Sequence, residues 1–335
     1  MVFKRAFIAL LFLCAVASSG VASAGKTIMA YYGDGSLDAL KAEAGIVNQL
    51  PTDSFDVNGA GVITGTAPSQ ALAIARSHGI QTFATISNYG ATDFSPAIVH
   101  ALLHKQAAVQ AFIANTQKLL SASGYSGVNI DFEAIPAGDR AAFSAFCISL
   151  YKSVHAAGRL MAISVPAIQK DDPADDWAGA YDLSVLGKAT DIIQYMTYDE
   201  NGPWGSPGPV AGLDWVQASV RYAASVVPPG KISLGLPAYG YDWNLTAGTG
   251  NEVDWKAVPA LLAQTHATAA WDAKSSSPYF HYTAKNGAKH VVWYENARSI
   301  TLKSRLAQSL GLAGVSVWVL GANNADFWKA VRAGL

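Results

Sequence analysis

The stretch that decides the fold spans residues 126 to 133 and reads Ser126-Gly127-Val128-Asn129-Ile130-Asp131-Phe132-Glu133. Side chains alternate between the two faces of a β-strand, so this stretch predicts a strand with one apolar face and one polar face. The polar face ends in two carboxyl groups, Asp131 and Glu133. Neighbouring carboxylates repel each other, so one of them tends to hold a proton near neutral pH. Either residue is therefore a candidate proton donor, and the alternative is a solvated pair at a strand end.

Short strands alternate with helices on both sides of this stretch. Strands are predicted at residues 27–32, 81–87, 160–166, 191–198, 231–237 and 314–320, with a strand and hairpin-like extension within 46–65. Helices are predicted at 36–43 with Ser36 as the cap, 68–78, 96–103, 105–123, 138–157, 215–226 and 299–310, and a short one ends near Gly187. This α/β alternation calls for a parallel sheet, and eight strands close a (β/α)8 TIM barrel.

A break of about seventy residues separates the seventh and eighth strands. Short alternating segments occur there at 253–255, 279–282 and 290–294. They predict a small α+β insertion subdomain at about residues 241–296, between strands 7 and 8. The catalytic residues of such a barrel gather at the carboxyl ends of its strands, where the following loops form the open mouth.

The first 24 residues have the pattern of a secretory signal peptide. Lys4 and Arg5 precede an apolar run at residues 6–17, and the small residues 22–24 form a cleavage site. We therefore expect a mature barrel of residues 25–335, exported to the periplasm or the extracellular space, soluble and without a membrane span. Cleavage removes Cys14 and leaves Cys147, which we expect to be a buried thiol.

Charge and motifs exclude several classes of function. The net charge is −1 and no long basic run occurs, which argues against nucleic acid or an anionic membrane as partner. No phosphate-binding glycine loop, H-E-x-x-H or G-x-S-x-G after a strand occurs. His100 and His104 have the i, i+4 spacing of a metal-binding helix, but we interpret them as solvated helix surface. We expect no metal, no cofactor and a monomer.

These motifs resemble glycoside hydrolase family 18, the chitinase and N-acetylglucosaminidase family. The family's fourth-strand signature D-x-x-D-x-D-x-E places its last two acidic residues on Asp131 and Glu133. Similar strings follow on strands six, seven and eight: Met196-Thr197-Tyr198-Asp199, Leu234-Gly235-Leu236-Pro237-Ala238-Tyr239-Gly240, and Trp318 at the strand end. The resemblance runs from Thr27 almost to the end of the chain.

Two positions depart from the signature, since Ser126 and Asn129 stand where the family has aspartates. Asn129, the string Trp293-Tyr294-Glu295 and the string Trp318-Val319-Leu320-Gly321 resemble the spore-germination glycosylase branch, which acts on peptidoglycan. An amide cannot titrate, so the pH optimum is expected to differ from that of chitinases.

The resemblance implies retaining, substrate-assisted hydrolysis of β-1,4 bonds next to N-acetylglucosamine in chitin-like or peptidoglycan glycans. Glu133 would be the acid, Asp131 would orient the substrate acetamido group, and Tyr198 would donate a hydrogen bond to it. The implied substrate-binding residues are Trp318, Met196, Gln194, Asp199, Tyr32, Asn129 and Tyr239, and further candidates are Asn88, Trp204 and Glu295. The alternative function is a catalytically inactive chitinase-like lectin, against which the retained Glu133 argues.

Overall fold

Strands and helices alternate along the residues that this computed structural model describes, 25–335. The predicted signal peptide lies outside them. The first half contains β1 Thr27–Ala30, α1 Leu37–Glu43, β2 Gln49–Val57, β3 Ile63–Gly65, α2 Ser69–Ser77, β4 Gln81–Ser87, α3 Pro96–Leu103, α4 Gln106–Ser123, β5 Gly127–Asp131, α5 Arg140–Ala156 and β6 Leu160–Pro166. The second half contains α6 Leu183–Leu186, β7 Ile192–Met196, α7 Leu213–Val226, β8 Ile232–Pro237, β9 Tyr239–Asn244, β10 Thr249–Asp254, α8 Val258–Thr265, β11 Ala270–Asp272, β12 Ser277–Thr283, β13 Lys289–Trp293, α9 Ala297–Ser309, β14 Gly314–Trp318 and α10 Ala325–Gly334.

Eight parallel strands close into a barrel. The order of hydrogen-bonded neighbours is β1-β14-β8-β7-β6-β5-β4-β2, and β1 also pairs with β2. Closure is visible in the register, because Met29 of β1 lies opposite Ser316 of β14 and Gln49 of β2. The short β3 pairs antiparallel with β2 and forms the predicted hairpin extension. The predicted (β/α)8 barrel is thereby confirmed.

The insertion between strands seven and eight is a second, antiparallel sheet. Its five strands have the order β10-β9-β13-β12-β11, and α8 connects β10 to β11. β9 begins two residues after β8 ends, so this sheet rises directly from the carboxyl end of the barrel strand. The insertion therefore stands beside the barrel mouth.

The alternation in β5 separates the core from the barrel interior as the sequence predicts. Val128, Ile130 and Phe132 are fully buried in the layer between barrel and helices. The Phe132 ring stacks on Phe146 of α5, with the ring centroids 5.7 Å apart. Removing a buried phenylalanine ring typically costs about 3–5 kcal/mol. Packing on this face fixes β5, and the opposite face points into the barrel.

Local signals set where the helices near β5 begin and end. The Ser95 side chain accepts from the Ile98 N–H and Pro96 occupies the first turn, so α3 begins there. Gly124 ends α4 with φ of 72°, a conformation that glycine adopts without strain. Ser36 precedes α1 as predicted, but its hydroxyl does not cap the helix and donates to the Leu320 carbonyl oxygen.

The environment of Cys147 and the composition of the helices bear on two predictions from the sequence, a buried thiol and the lack of a membrane span. The Cys147 side chain is fully buried, as predicted, and burial raises the pKa of its thiol. Within residues 25–335, no helix combines the length and the apolar composition that crossing a membrane requires.

Candidate active site

A cleft of about 1250 Å³ opens at the carboxyl ends of the barrel strands. Its lining includes the last residues of four strands: Asp131 of β5, Pro166 of β6, Met196 of β7 and Trp318 of β14. This is the end of the barrel at which the sequence predicts a catalytic site.

The carboxyl pair lies in the wall of this cleft. Asp131 ends β5 with 7% of its surface exposed, and Glu133 follows it in the cleft lining. Burial, and next the charge of Asp53, raise the pKa of Asp131. Burial, followed by the charges of Asp131 and Asp199, raises the pKa of Glu133 well above its ordinary value. A carboxyl group that keeps its proton toward neutral pH can serve as a general acid.

The backbone on either side of Glu133 is held by two residues from other loops. The Tyr181 hydroxyl donates to the Phe132 carbonyl oxygen at 2.5 Å. The buried Asn88 side chain accepts from the Glu133 N–H at 2.8 Å and donates to the Glu133 carbonyl oxygen at 2.9 Å. The same amide donates to the Ser95 carbonyl oxygen at 3.1 Å. These bonds fix the position from which the Glu133 side chain enters the cleft.

Tyr198 lies in the cleft lining, two residues after the end of β7. Its hydroxyl oxygen accepts from Gln194 Nε2 at 3.3 Å, and Gln194 also donates to Ser316 Oγ at 3.1 Å. Burial raises the pKa of Tyr198, so its hydroxyl stays protonated and can donate in turn. Gly235 of β8 makes room for the ring, because a Cβ at this position would approach a Tyr198 ring carbon to 2.8 Å.

Trp318 and Tyr31 form an aromatic floor. Their ring centroids are 5.5 Å apart, and both residues line the cleft. Val315 and Val317 of β14 face the outer core, so the alternation turns Trp318 into the barrel. The Tyr31 hydroxyl is 3.2 Å from Ser164 Oγ, which ties the floor to β6.

Asn129 lies beneath this floor and does not line the cleft. It is fully buried, and its amide donates to Ser164 Oγ at 3.1 Å. Asn129 therefore contacts Ser164, the residue that also contacts the Tyr31 hydroxyl. It lies below the cleft lining and not at the sugar-binding position that the resemblance implies.

The predicted pair Asp199 and Tyr239 is also brought together. The Tyr239 and Tyr241 hydroxyls donate to Asp199 Oδ1 at 2.6 and 2.8 Å. Asp199 lines the cleft with φ of 61°, and Asp tolerates this left-handed conformation better than most residues. Tyr239 is only 3% exposed and stands behind Asp199, so it positions the carboxylate from outside the cleft lining.

The remaining candidates divide between the cleft and the protein interior. Tyr32, Met196, Gln194 and Trp204 line the cleft, and Trp204 is 71% exposed. The Asn88 side chain hydrogen-bonds to the Glu133 backbone. Glu295 is 2% exposed and forms a buried ion pair with Lys303 of α9, with a 2.7 Å N–O distance. The expectation that Glu295 contacts the substrate is therefore wrong, because its side chain is in the protein interior and not in the cleft lining.

Several cleft residues were not among the sequence candidates. They include Tyr31, Asp34, Asp53, Asp56, Tyr89, Asp93, Phe94, Ser164, Trp177 and Trp215. Asp53, Asp56 and Ser164 lie on barrel strands, so the rule that inward residues near strand ends form the site could have identified them. The others lie on loops or helices, whose path the alternation pattern does not predict.

The lining is acidic. Its acidic residues are Asp34, Asp53, Asp56, Asp93, Asp131, Glu133 and Asp199, and among the described residues that line the cleft none is Lys, Arg or His. Such a cleft attracts cations and disfavours anions. The one group of three possible metal ligands in the described part of the chain, His100, His104 and Asp139, lies outside this lining.

The strand ends of this closed barrel present a protonatable carboxyl pair beside aromatic side chains. Such a site can bind a sugar and give a proton to its glycosidic oxygen. The class so defined is that of the glycoside hydrolases. The sequence matches the family described as Glycosyl hydrolases family 18 over residues 40–323. The chain belongs to this family.

Relatives and solved structures agree with this assignment. The uncharacterized glycosylase YvbX of Bacillus subtilis (strain 168) is 37% identical over 316 residues, which cover 93% of this chain and 92% of that protein. The cortical fragment-lytic enzyme of Bacillus cereus is 27% identical over 248 residues, which cover 73% of this chain and 57% of that enzyme. The crystal structure of a chitinase from Chromobacterium violaceum ATCC 12472 matches with a TM-score of 0.89 and 38% identity, covering 92% of this chain and 99% of that one.

Proposed function

We propose that the protein hydrolyses β-1,4 glycosidic bonds next to N-acetylglucosamine, with retention of configuration and with the substrate's own acetamido group as nucleophile. The observation that carries this proposal is the placement of Asp131, the last residue of β5, and Glu133, two residues further along the chain, in the wall of one cleft. In retaining enzymes with a carboxylate nucleophile, the two carboxyl groups flank the bond from opposite sides, about 5–5.5 Å apart. Family 18 enzymes are an exception to that scheme.

In the first step Glu133 gives its proton to the glycosidic oxygen. The acetamido carbonyl oxygen attacks the anomeric carbon as the bond to the leaving sugar breaks, which forms an oxazolinium ion. The N–H of this ion gains positive character, and Asp131 Oδ1, which has no hydrogen-bond partner among the described residues, can accept it. The Tyr198 hydroxyl donates to the acetamido oxygen and orients it for attack.

In the second step the ionised Glu133 takes a proton from water. The water oxygen attacks the anomeric carbon from the face that the leaving sugar vacated, and the oxazolinium ring opens. Two inversions at one carbon give net retention, and Glu133 regains its proton. The proton count balances because the same carboxyl group serves as acid and then as base.

Asn129 supports a pH dependence different from that of enzymes with aspartate at this position. An amide beneath Asp131 holds no charge, and the charge that raises the pKa of Asp131 comes from Asp53 on β2. The carboxylate near Asp131 therefore belongs to Asp53 on β2 and not to a residue of β5 itself.

The acidic cleft supports an uncharged glycan as substrate. An N-acetylglucosamine oligomer carries no charge, whereas N-acetylmuramic acid adds a lactyl carboxylate wherever it carries no peptide or lactam. Desolvating that anion beside the cleft carboxylates is unfavourable. We therefore propose chitin-type oligomers as the preferred substrate class and peptidoglycan with blocked muramic carboxyls as the second.

Product analysis tests the proposal. Chito-oligosaccharides and peptidoglycan are incubated side by side, mass spectrometry identifies the products, and NMR follows the anomer first released. We expect the β-anomer, inhibition by a thiazoline analogue of the oxazolinium ion, and no cleavage after a sugar whose acetamido group is replaced by a free amine. First release of the α-anomer would refute the mechanism. Tight binding of oligosaccharides without new reducing ends at any pH would establish the lectin alternative.

We also infer export of the chain, supported by the sequence pattern of residues 1–24. Intact-mass measurement of protein from a secreting host tests this inference. A mature chain that begins at Gly25 and is found outside the cytoplasm is the expected result. A full-length chain retained in the cytoplasm would contradict it.

A further inference from the structure

Two histidines and a buried aspartate meet on the outside of the barrel. His100 lies in the last turn of α3, His104 follows the helix end, and Asp139 precedes α5. His100 Nδ1 is 2.8 Å from Asp139 Oδ2, and His104 Nε2 is 2.7 Å from Asp139 Oδ1. The pair is therefore not a purely solvated helix surface, since both imidazoles converge on one carboxylate that is 4% exposed.

We propose that His100, His104 and Asp139 form a binding site for Zn²⁺ or a similar divalent transition metal. Two imidazole nitrogens and one carboxylate oxygen are a donor set that Zn²⁺ uses widely, with a water in the fourth tetrahedral position. The i, i+4 spacing presents both imidazoles on one side of a helix, and the three donor atoms lie within 4.8 Å of one another.

The distances require only a small adjustment. Ligand bonds of about 2.1 Å place tetrahedral ligand atoms about 3.4 Å apart. Asp139 Oδ1 is 3.1 Å from His100 Nδ1 and 2.7 Å from His104 Nε2, so the two imidazoles must move outward by about 0.3 and 0.7 Å. The side chains of His100 and His104 are 58% and 50% exposed and have room to do so. Asp139 provides the fixed, buried ligand.

The hydrogen bonding of the two imidazole rings is also compatible with a metal, since each ring turns one nitrogen toward Asp139. In the described residues the other ring nitrogen of each histidine has no protein partner. A tautomer that carries its proton on that nitrogen offers the nitrogen facing Asp139 to the metal.

Such a metal would link two segments that also meet at Glu133. The loop before α3 carries Asn88, which holds the Glu133 backbone, and the loop after Glu133 leads to Asp139. A bound ion would add a second connection between these segments on the outer side, away from the cleft. The consequence is higher stability without a direct part in the reaction.

Metal titration of the tag-free protein tests the proposal. The chain is stripped with EDTA, dialysed and titrated with ZnCl₂ by calorimetry, and Co²⁺ is used as a spectroscopic probe. We expect one ion per chain, visible Co²⁺ bands of four-coordinate type, and a rise in Tm of about 5 °C at a zinc concentration about a hundred times Kd.

Variants assign the ligands. His100→Gln and His104→Gln alter exposed side chains, so both should fold, and each should weaken zinc binding at least about tenfold and abolish the Co²⁺ bands. His155→Gln is the matched control, because His155 pairs with Asp191 at 2.9 Å but belongs to no group of three possible ligands among the described residues. Absence of stoichiometric binding, or equal affinity in the three variants and the original protein, would overturn the proposal.

Discussion

Asn88 offers a test of how the fold positions the catalytic acid. Its side chain makes three hydrogen bonds, two of them to the backbone of Glu133, and it is fully buried. Replacement by alanine leaves the Glu133 N–H and carbonyl oxygen without these partners. An unsatisfied buried polar group costs about 1–3 kcal/mol, so Asn88→Ala should lower the free energy of unfolding by about 2–5 kcal/mol.

The same variant should lose activity through kcat. Misplacement of a catalytic group by about 1 Å can reduce the rate about a hundredfold. Asn88 does not line the cleft, so KM should change little while kcat falls by about 10- to 100-fold. Urea unfolding and steady-state kinetics on chito-oligosaccharides measure the two effects.

The matched control is Asn115→Ala. Asn115 donates one hydrogen bond, to the Gly61 carbonyl oxygen at 2.9 Å, and lies outside the cleft lining. It should cost about 1 kcal/mol and leave kcat unchanged. The reasoning would be refuted if Asn88→Ala unfolded at the original urea midpoint and turned over substrate at the original rate.

Three further predictions concern buried ionisable groups. Glu295→Gln should lower the free energy of unfolding, measured with urea, by about 3–5 kcal/mol because it leaves the Lys303 charge buried and unpaired. Adding Lys303→Met should recover part of this loss. Equal stability of the single variant and the original protein would contradict the prediction. The Cys147 thiol should react with a thiol reagent only in denaturant, because it is fully buried and its pKa is raised, and rapid reaction of the folded protein would disprove its burial. The pKa of Glu133 is higher in the folded than in the unfolded chain, so its ionisation destabilises the fold above about pH 4.3. Glu133→Gln should therefore be more stable than the original protein at pH 7 but not at pH 4. A gain in stability independent of pH would contradict this.

The strands of the barrel could be predicted because their signals are local. The alternation in residues 126–133 gives β5 its two faces, and Gly124 ends the preceding helix. Repetition of the same strand and helix pattern then implies closure. Asp131, Glu133, Tyr198 and Trp318 follow from this pattern together with the resemblance, since all lie at strand ends.

Contacts between distant segments could not be predicted in this way. Asn88 and Tyr181 are 45 and 49 residues away from the backbone groups that they bind, and no local pattern marks such pairs. His100 and Asp139 are 39 residues apart, so the helical spacing of the histidines alone suggested only a solvated surface. Glu295 was misjudged because its environment depends on how α9 packs, which buries Lys303 beside it.

The central claim is that Glu133 donates the proton that breaks the glycosidic bond. Its most direct test is kcat/KM of Glu133→Gln on two substrates, a chito-oligosaccharide and an aryl chitobioside whose dinitrophenolate leaving group needs no proton. Glu43→Gln on α1, outside the cleft lining, is the control and should behave like the original protein. We predict a loss of about 10²- to 10⁴-fold on the oligosaccharide and a much smaller loss on the aryl glycoside. Equal losses on both substrates, or no loss on either, would contradict the role of Glu133 as the acid.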